Sequence, residues 1–309
     1  MRLVFFGSGT FALPALKALK NSTHELLAVI TAPPAPQGRG LKTLPTPVAQ
    51  LAAELGIPTL TPESPNSEQF LARLRELSPD CGVIVDYGYI LKPALLTIPA
   101  HGFINLHPSL LPRYRGPAPI PRQLMEGCEL TGVTVFQLDS GIDTGDILNQ
   151  VELPILPDET AGELALRLAE KGAELLCITL DQISTGNVQR IPQNPALATR
   201  APKITKPERW IDWRRPAQEI HNHIRALAPQ PGALTRFRNR DLQILRSRKI
   251  STSNPEKPGT IITDKNRLIV AAGTDRIEIL ELKPAGGKII TGRDFINGYH
   301  PQPGEIMGV

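Results

Sequence analysis

The sequence predicts an α/β protein: a Rossmann-like, mostly parallel sheet in a first domain, then a small β-barrel resembling an OB-fold. Three observations predict this. As far as Ile183, apolar runs of strand length bounded by Gly and Pro alternate with segments of helical period, as βαβ units require. Residues 187–207, NVQRIPQNPALATRAPKITKP, are rich in proline and polar side chains and read as a linker. Beyond them, several short strand-like runs accompany one helical segment, the pattern of a small barrel. A chain of 309 residues has room for two domains. Their expected boundaries are 1–189 and 208–309, joined by a linker at 190–207.

In order, Arg2–Phe6 reads as a strand, GSGT as a turn and Phe11–Lys20 as a helix. Leu26–Thr31 is the next strand, and Thr46–Leu55 and Ser67–Leu77 have helical period. Gly82–Asp86, Gly102–Leu106 and Gly132–Leu138 are short β-branched or apolar runs. A long helix over Ala161–Ile183 closes the first domain. Ala217–Leu227 is the helix of the second. Its strands are Ala233–Arg238, Leu242–Ile250, Gly259–Thr263, Leu268–Ala272 and Ile277–Leu282. Gly7, Gly9 and Ala12 match the G-x-G-x-x-A turn of dinucleotide-binding folds, but the following strand ends in ITAP with no acid for a ribose. The plainer reading is a tight strand–helix turn in which glycine permits close packing.

Composition excludes several classes. Cys81, Cys128 and Cys177 are far apart and form no CxxC pair, so neither a disulfide framework nor a zinc site is expected. The longest apolar run near the N-terminus is Leu3–Phe6, which predicts no membrane partner and a cytoplasmic, reducing location. The net charge of +4 conceals an asymmetry. Residues 1–200 hold 15 Lys and Arg against 19 Asp and Glu, a balance of −4; residues 201–309 hold 19 against 11, a balance of +8. A basic last third on a mildly acidic body suits a polyanion partner, or simply a solvated basic surface.

The chemistry concentrates in FINLHPSLLPRYRGPAP, Phe103–Pro119. Successive strand side chains alternate faces, so Asn105 and His107 point one way and Ile104 and Leu106 the other. The two polar groups stand near the carboxyl end of the strand, where open α/β sheets bind ligands. Four prolines in Pro108–Pro119 pre-set the loop that follows. A half-buried histidine beside an Asn cap is the bland alternative. The second segment is DSGIDTGDIL, Asp139–Leu148. Its spacing fails the EF-hand pattern and no His or Cys is adjacent, so no metal is expected. Either it is a flexible acidic turn, or Gly141 and Gly145 let it present Asp143 to the histidine.

NLHPSLLPRYRG together with GVTVFQLDSGIDTGDIL resembles the folate-dependent formyltransferases, whose pattern is N-x-H-x-S-L-L-P followed by a D-x-G loop. RLVFFGSGTFALPAL, QGRGLK at 37–42, VDYGYILKP at 85–93, PKITKPERWIDW at 202–213 and the basic last third extend the likeness to the whole chain. The resemblance implies formyl transfer from 10-formyltetrahydrofolate to the amino group of methionyl initiator tRNA, by a monomer, without a metal. It implies a catalytic set of Asn105, His107 and Asp143. The chemistry suits these residues: the Asn105 carboxamide and a protonated His107 are donors for the oxyanion, and Asp143 can accept the ammonium proton while holding His107, although the sequence does not say which group takes the proton first. The resemblance also implies folate contacts from Ser109, Leu110, Leu111 and Pro112. For tRNA it implies the 37–42 loop, with Arg39 and Lys42, and the linker lysines Lys203 and Lys206. The chain departs from the family's usual pattern at Pro33–Pro36, Pro108, Pro117 and Asp86. Three other functions fit less of the sequence: a formyltransferase for a sugar-nucleotide amine, one for glycinamide ribonucleotide, and an RNA-binding protein without catalysis.

The last third offers its own reading. In TRFRNRDLQILRSRK, Thr235–Lys249, period-two alternation puts Arg236, Arg238 and Arg240 on one strand face and Arg246 and Arg248 on the next run, across a turn near Asn239–Asp241. Crowded like charges destabilise a sheet unless an anion lies against them, and a phosphate backbone is the expected anion. The alternative is that the arginines splay into solvent or pair with acids of the first domain.

Overall fold

The first strand buries Leu3–Phe6 completely, which predisposes it to the middle of a sheet covered on both faces. A computed structural model, describing residues 1–37, 42–254, 256–264 and 266–308, places it there. In chain order the strands of the first part are β1 (Arg2–Gly7), β2 (Glu25–Ile30), β3 (Ala35–Gln37), β4 (Lys42–Leu44), β5 (Thr59–Leu60), β6 (Cys81–Val85), β7 (Phe103–His107), β8 (Leu130–Gln137) and β9 (Ile147–Pro154). Seven of them form one sheet in the order β5-β2-β1-β6-β7-β8-β9, with β3 and β4 a separate antiparallel pair. Pairing is parallel from β5 through β7, and β8 runs antiparallel to β7.

The helices are α1 (Leu13–Lys20), α2 (Pro47–Glu54), α3 (Glu68–Leu77), α4 (Pro93–Leu96), α5 (Pro119–Met125), α6 (Ala161–Ser184), α7 (Ala217–Leu227) and α8 (Gly292–Tyr299). Thr46 and Ser67 cap α2 and α3 by accepting from backbone N–H groups three residues on. The turn after β1 is a packing turn, as expected. A Cβ on Gly7 would lie 2.8 Å from the Val85 carbonyl, and one on Gly9 would lie 1.8 Å from the Asp86 carboxylate. Asp86 is outside β6, at φ +51, with its carbonyl accepting from Ser8 and Gly9.

Neighbouring segments divide the chain into two compact units. One comprises Met1–Gly116, Thr131–Leu153 and Ala165–Arg200; the other comprises Pro117–Leu130, Pro154–Leu164 and Ala201–Val309. The second unit holds β10 (Ala233–Phe237), β11 (Arg240–Ile250), β12 (Ile261–Asp264), β13 (Arg267–Ala271), β14 (Arg276–Pro284) and β15 (Ile290–Thr291). They form an antiparallel sheet in the order β10-β11-β14-β13-β12, with β15 on β14. The tail curls this sheet towards a barrel. Gly308 donates to the Arg236 carbonyl on β10, while Ile261 on β12 donates to the Glu305 carbonyl and Met307 to that of Gly259. Trp213, Ile220, Ile224, Phe237, Ile244, Ile279 and Phe295 fill the interior.

One helix was expected after residue 207, and among the described residues there α8 joins α7. The second, α8, starts with a reciprocal Thr291–Asp294 capping box. The strand face expected for three arginines does not form. Arg238 and Asn239, at φ +45 and +63, are themselves the two-residue turn, and Phe237 pairs with Arg240.

Candidate active site

The site belongs to the first unit and is built on β7. Asn105 lies opposite Ile84 of β6 and Phe136 of β8, and His107 opposite Thr134. Leu106 points to the other face, where a Cβ on Gly172 of α6 would meet it at 2.7 Å. Asn105 and His107 therefore share a face, as alternation predicts. His107 is 5% exposed and meets Phe136 edge-to-face, with ring centroids 6.5 Å apart. Asn105 is only half-buried, and among the described residues its carboxamide makes no hydrogen bond.

Two partners define the histidine. Its Nε2 is 3.0 Å from the Tyr114 carbonyl, which can only accept, so Nε2 carries the hydrogen. Its Nδ1 faces Asp143 Oδ2 at 3.7 Å, too far for a hydrogen bond. The Tyr114 carbonyl, not Asp143, thus sets the tautomer. Burial pushes the imidazole pKa below its usual value, against the pull of the Asp143 carboxylate and the Tyr114 carbonyl. In the tautomer set by the Tyr114 carbonyl, the Nδ1 lone pair is turned towards the carboxylate.

Asp143 reaches this position by a detour. β8 leaves the sheet beside Ile104, and β9 starts where Gln137 donates to the Asp146 carbonyl at 2.8 Å. The loop between them must fold back over the sheet to bring Asp143 to His107. Asp143 takes φ +54 to do so. Gly145 packs so closely that a Cβ would lie 1.8 Å from the Gln137 carbonyl, and Gly141 is close to Thr144. Asp139 ties the loop by accepting from the Thr144 hydroxyl at 2.7 Å and the Gly141 N–H at 3.0 Å. Gly116 N–H donates to Asp143 Oδ2 at 2.7 Å and aims it.

The proline-rich loop is held from inside. Ser109 is fully buried; its hydroxyl donates to the Arg113 carbonyl at 2.7 Å. Thr134 donates to the Ser109 carbonyl at 2.6 Å and accepts from Leu111 N–H at 3.2 Å. Gln150 donates to the Leu111 carbonyl at 2.7 Å. Leu111 packs with Phe136 and Ile147, whereas Leu110 and Pro112 are half-buried. Sequence reading missed Tyr114, Thr134 and Gln150, which act through a backbone carbonyl or through bonds between distant segments, and neither leaves a local pattern. The loop after β6 exposes Tyr89 and Ile90, and Ile142 beside Asp143 is exposed as well.

The residues expected to meet tRNA fall into three groups. Arg39 and the Lys42 side chain lie outside the described residues. Lys203 and Lys206 are exposed, on a segment fixed by the Arg122–Glu208 ion pair at 2.6 Å. That pair and Thr205 hold the Glu208 carboxyl down at about 2. Arg236 and Arg238 are already partnered. Arg236 pairs with Asp241 at 2.8 Å and lies over the Trp210 ring. Arg238 makes a two-pronged bond to Glu305, both at 2.7 Å, and also donates to the Tyr299 and His300 carbonyls. Arg246 pairs with Glu163 at 2.6 Å, while Arg240, Arg248 and Lys249 are exposed. The expected single basic patch is therefore broken up by acids. Among the described residues no helix is long and apolar enough to cross a membrane, and no group of three or more His, Cys, Asp or Glu could hold a metal.

Two family models match: formyl transferase over residues 1–180, and the formyl transferase C-terminal domain over residues 203–300. A protein of Moorella thermoacetica named methionyl-tRNA formyltransferase is 44% identical over 309 residues, covering 100% of this chain and 99% of the relative. One of the same name from Streptomyces griseus is 40% identical, covering 100% of both. Among solved structures, the N-formyltransferase of Helicobacter canadensis in complex with folinic acid and dTDP-3-aminofucose shares the fold, with a TM-score of 0.66 at 20% identity, over 90% of this chain and 98% of that one.

Proposed function

This chain belongs to the formyl transferase family, and on that premise we propose that it transfers a formyl group from 10-formyltetrahydrofolate to the free amino group of methionyl initiator tRNA. The observation that carries the acceptor is the end-to-end relation to proteins named methionyl-tRNA formyltransferase, which takes in the basic last third as well as the catalytic segment. 10-Formyltetrahydrofolate supplies the formyl group and is the co-substrate. The exposed Tyr89, Ile90 and Ile142 offer apolar surface to its flat ring, and half-buried Leu110 and Pro112 offer a wall, with Ser109 and Leu111 holding that wall in shape.

Asn105, His107 and Asp143 carry the chemistry. When the amine attacks the formyl carbon, the carbonyl oxygen gains negative charge, and the unengaged Asn105 carboxamide is the donor for it; one such donor is worth ~10²–10³ in rate. Attack also leaves the amine nitrogen with a proton to lose. Nε2 keeps its hydrogen on Tyr114, so Nδ1 is the nitrogen free to take that proton. Asp143 then stabilises the imidazolium, which returns the proton to the departing nitrogen. Lys203, Lys206 and the exposed Arg240, Arg248 and Lys249 are assigned to the tRNA phosphates, together with Arg39 and Lys42 near the acceptor end.

The test is a comparison of acceptors. Purified protein with 10-formyltetrahydrofolate is offered methionyl-tRNA, glycinamide ribonucleotide or an amino-sugar nucleotide. Methionyl-tRNA is expected to be formylated with the highest kcat/KM. Formylation of a small amine in preference to it would replace this reading.

A further inference from the structure

Gln193 stands in the segment that reads as a linker, yet its carboxamide uses both its donors and its acceptor. Nε2 donates to the carbonyls of Asp143 at 2.9 Å and Gly145 at 2.7 Å. Oε1 accepts from Arg115, from Nε at 3.0 Å and Nη2 at 2.7 Å. One side chain thus joins the two loops that meet at His107. The first is the 113–116 turn, whose Tyr114 carbonyl holds Nε2 and whose Gly116 N–H holds Asp143. The second is the loop that carries Asp143. The strap around Gln193 is itself pinned on both sides. Ile191 and Ile147 exchange backbone hydrogen bonds, both 2.9 Å. The Thr199 hydroxyl accepts from Tyr114 N–H at 2.8 Å, and its carbonyl accepts from Arg115 N–H at 2.9 Å.

We propose that Gln193 is a positioning residue that clamps Asp143 against His107, and that the 190–200 strap is part of the catalytic apparatus. The physical need is plain. Asp143 holds a left-handed backbone conformation, which is less favourable for a residue with a side chain than for glycine, and the residues before it, 139–142, are exposed. A carboxylate already 3.7 Å from Nδ1 loses its influence on the ring if the loop relaxes outward. Anchoring through two backbone carbonyls fixes the loop whatever its side chains do, and the Arg115 guanidinium fixes the clamp. This inference rests on the catalytic reading of Asp143.

The experiment compares Gln193→Ala and Gln193→Glu, each alone and with Asp143→Ala. Gln193→Glu keeps an acceptor for Arg115, so it is expected to melt near the parent, but it removes both donors to the Asp143 loop. Each single variant is expected to lower kcat on methionyl-tRNA by ~10- to 100-fold, the effect of displacing a catalytic group by about 1 Å. KM for both substrates should change by no more than about twofold if only the chemical step is affected. In the Asp143→Ala background, either change should cost less than about threefold more, because the residue it positions is gone. Parent-like kcat in Gln193→Glu, or the same fold loss in both backgrounds, overturns the clamp. If Gln193→Ala does not fold, Gln193→Glu decides. Parent-like turnover in Asp143→Ala alone would instead overturn the catalytic reading beneath it.

Discussion

His107 and Arg238 are both ionisable side chains held by several partners, but they are held in opposite ways. His107 is buried on a strand, and its partners are a backbone carbonyl and a carboxylate brought over by a folded-back loop. Arg238 stands exposed in a hairpin turn and reaches Glu305, the last carbonyl of α8 and that of His300 just beyond it. In the first case the backbone dictates the partners, so the group is poised for chemistry. In the second a long side chain chooses among acids within reach, and the choice locks a turn, a helix end and the closing tail together. A buried group with an unfilled position is available to a substrate, whereas an exposed arginine with a full set of acceptors is structural even within a basic region.

The sharpest way to break that contrast is at the catalytic face. His107→Ala, Asn105→Ala and Asp143→Ala are each expected to reduce turnover by at least ~10² in a chain that still folds, because each removes charge stabilisation or proton transfer. A folded Asp143→Ala with parent-like kcat would undo the assignment. The next largest effect is at Gly145. A Cβ there meets the Gln137 carbonyl at 1.8 Å, so Gly145→Ala must push the Asp143 loop away from the sheet. A fall of ~10-fold or more in kcat is expected, readable by steady-state kinetics on methionyl-tRNA. An unchanged kcat would mean that the loop can shift without moving Asp143.

The two regions also differ in how far they were legible. On β7 the alternation of Asn105, Leu106 and His107 is a backbone property, and it placed both polar groups correctly; Gly141 and Gly145 pointed to Asp143. The mostly parallel α/β class and the long α6 followed from the same periods. The Tyr114 carbonyl, Thr134 and the strap at Gln193 were not legible, because nothing in a local window says which distant segment will lie alongside. In the β10–β11 hairpin the alternation failed for a local reason: the chain turns at Arg238–Asn239 rather than one residue later. The pairings of Arg236, Arg238 and Arg246 with Asp241, Glu305 and Glu163 then depend on tertiary placement. The α8 capping box was readable, as a Thr three residues before an Asp, but a short helix among strands has too little period to be seen.

Acidity probes the buried side of the comparison more gently. Burial lowers the pKa of His24, His107, His221 and His223 from the usual 6.5. Unfolding releases each ring to titrate near that value. Below it, the unfolded chain binds more protons than the native one, so stability rises with pH through this window and is lost as pH falls beneath 6.5. The urea midpoint is expected to be lower at ~pH 5 than at ~pH 7.5. The acid limb of kcat/KM is expected below 6.5, where Nδ1 of His107 becomes protonated before the amine arrives. An acid limb above 6.5 would mean that the Asp143 carboxylate, not burial, governs the ring.

The smallest expected effects separate the arginines of the hairpin. Counterion release makes log KM for tRNA rise with log salt, and each phosphate contact contributes ~0.7–0.9 to the slope. Arg240 is exposed and its β10 partner in register is Phe237, so it can meet a phosphate without giving up an acid. Arg240→Ala is therefore expected to flatten the slope by up to ~1 unit while leaving melting unchanged. Arg238 would first have to leave Glu305 and the Tyr299 and His300 carbonyls, and Glu305 belongs to the tail that bridges β10 and β12. Arg238→Ala is expected to leave the slope nearly intact and to lower Tm by ~2–4 °C, since the turn, α8 and the tail lose their common tie. Salt titrations of KM beside thermal melts read both quantities on the same preparations. If Arg238→Ala flattened the slope and left Tm alone, its bonds to Glu305 would be dispensable, and the distinction between poised and structural charges would fail at the residue that defines it.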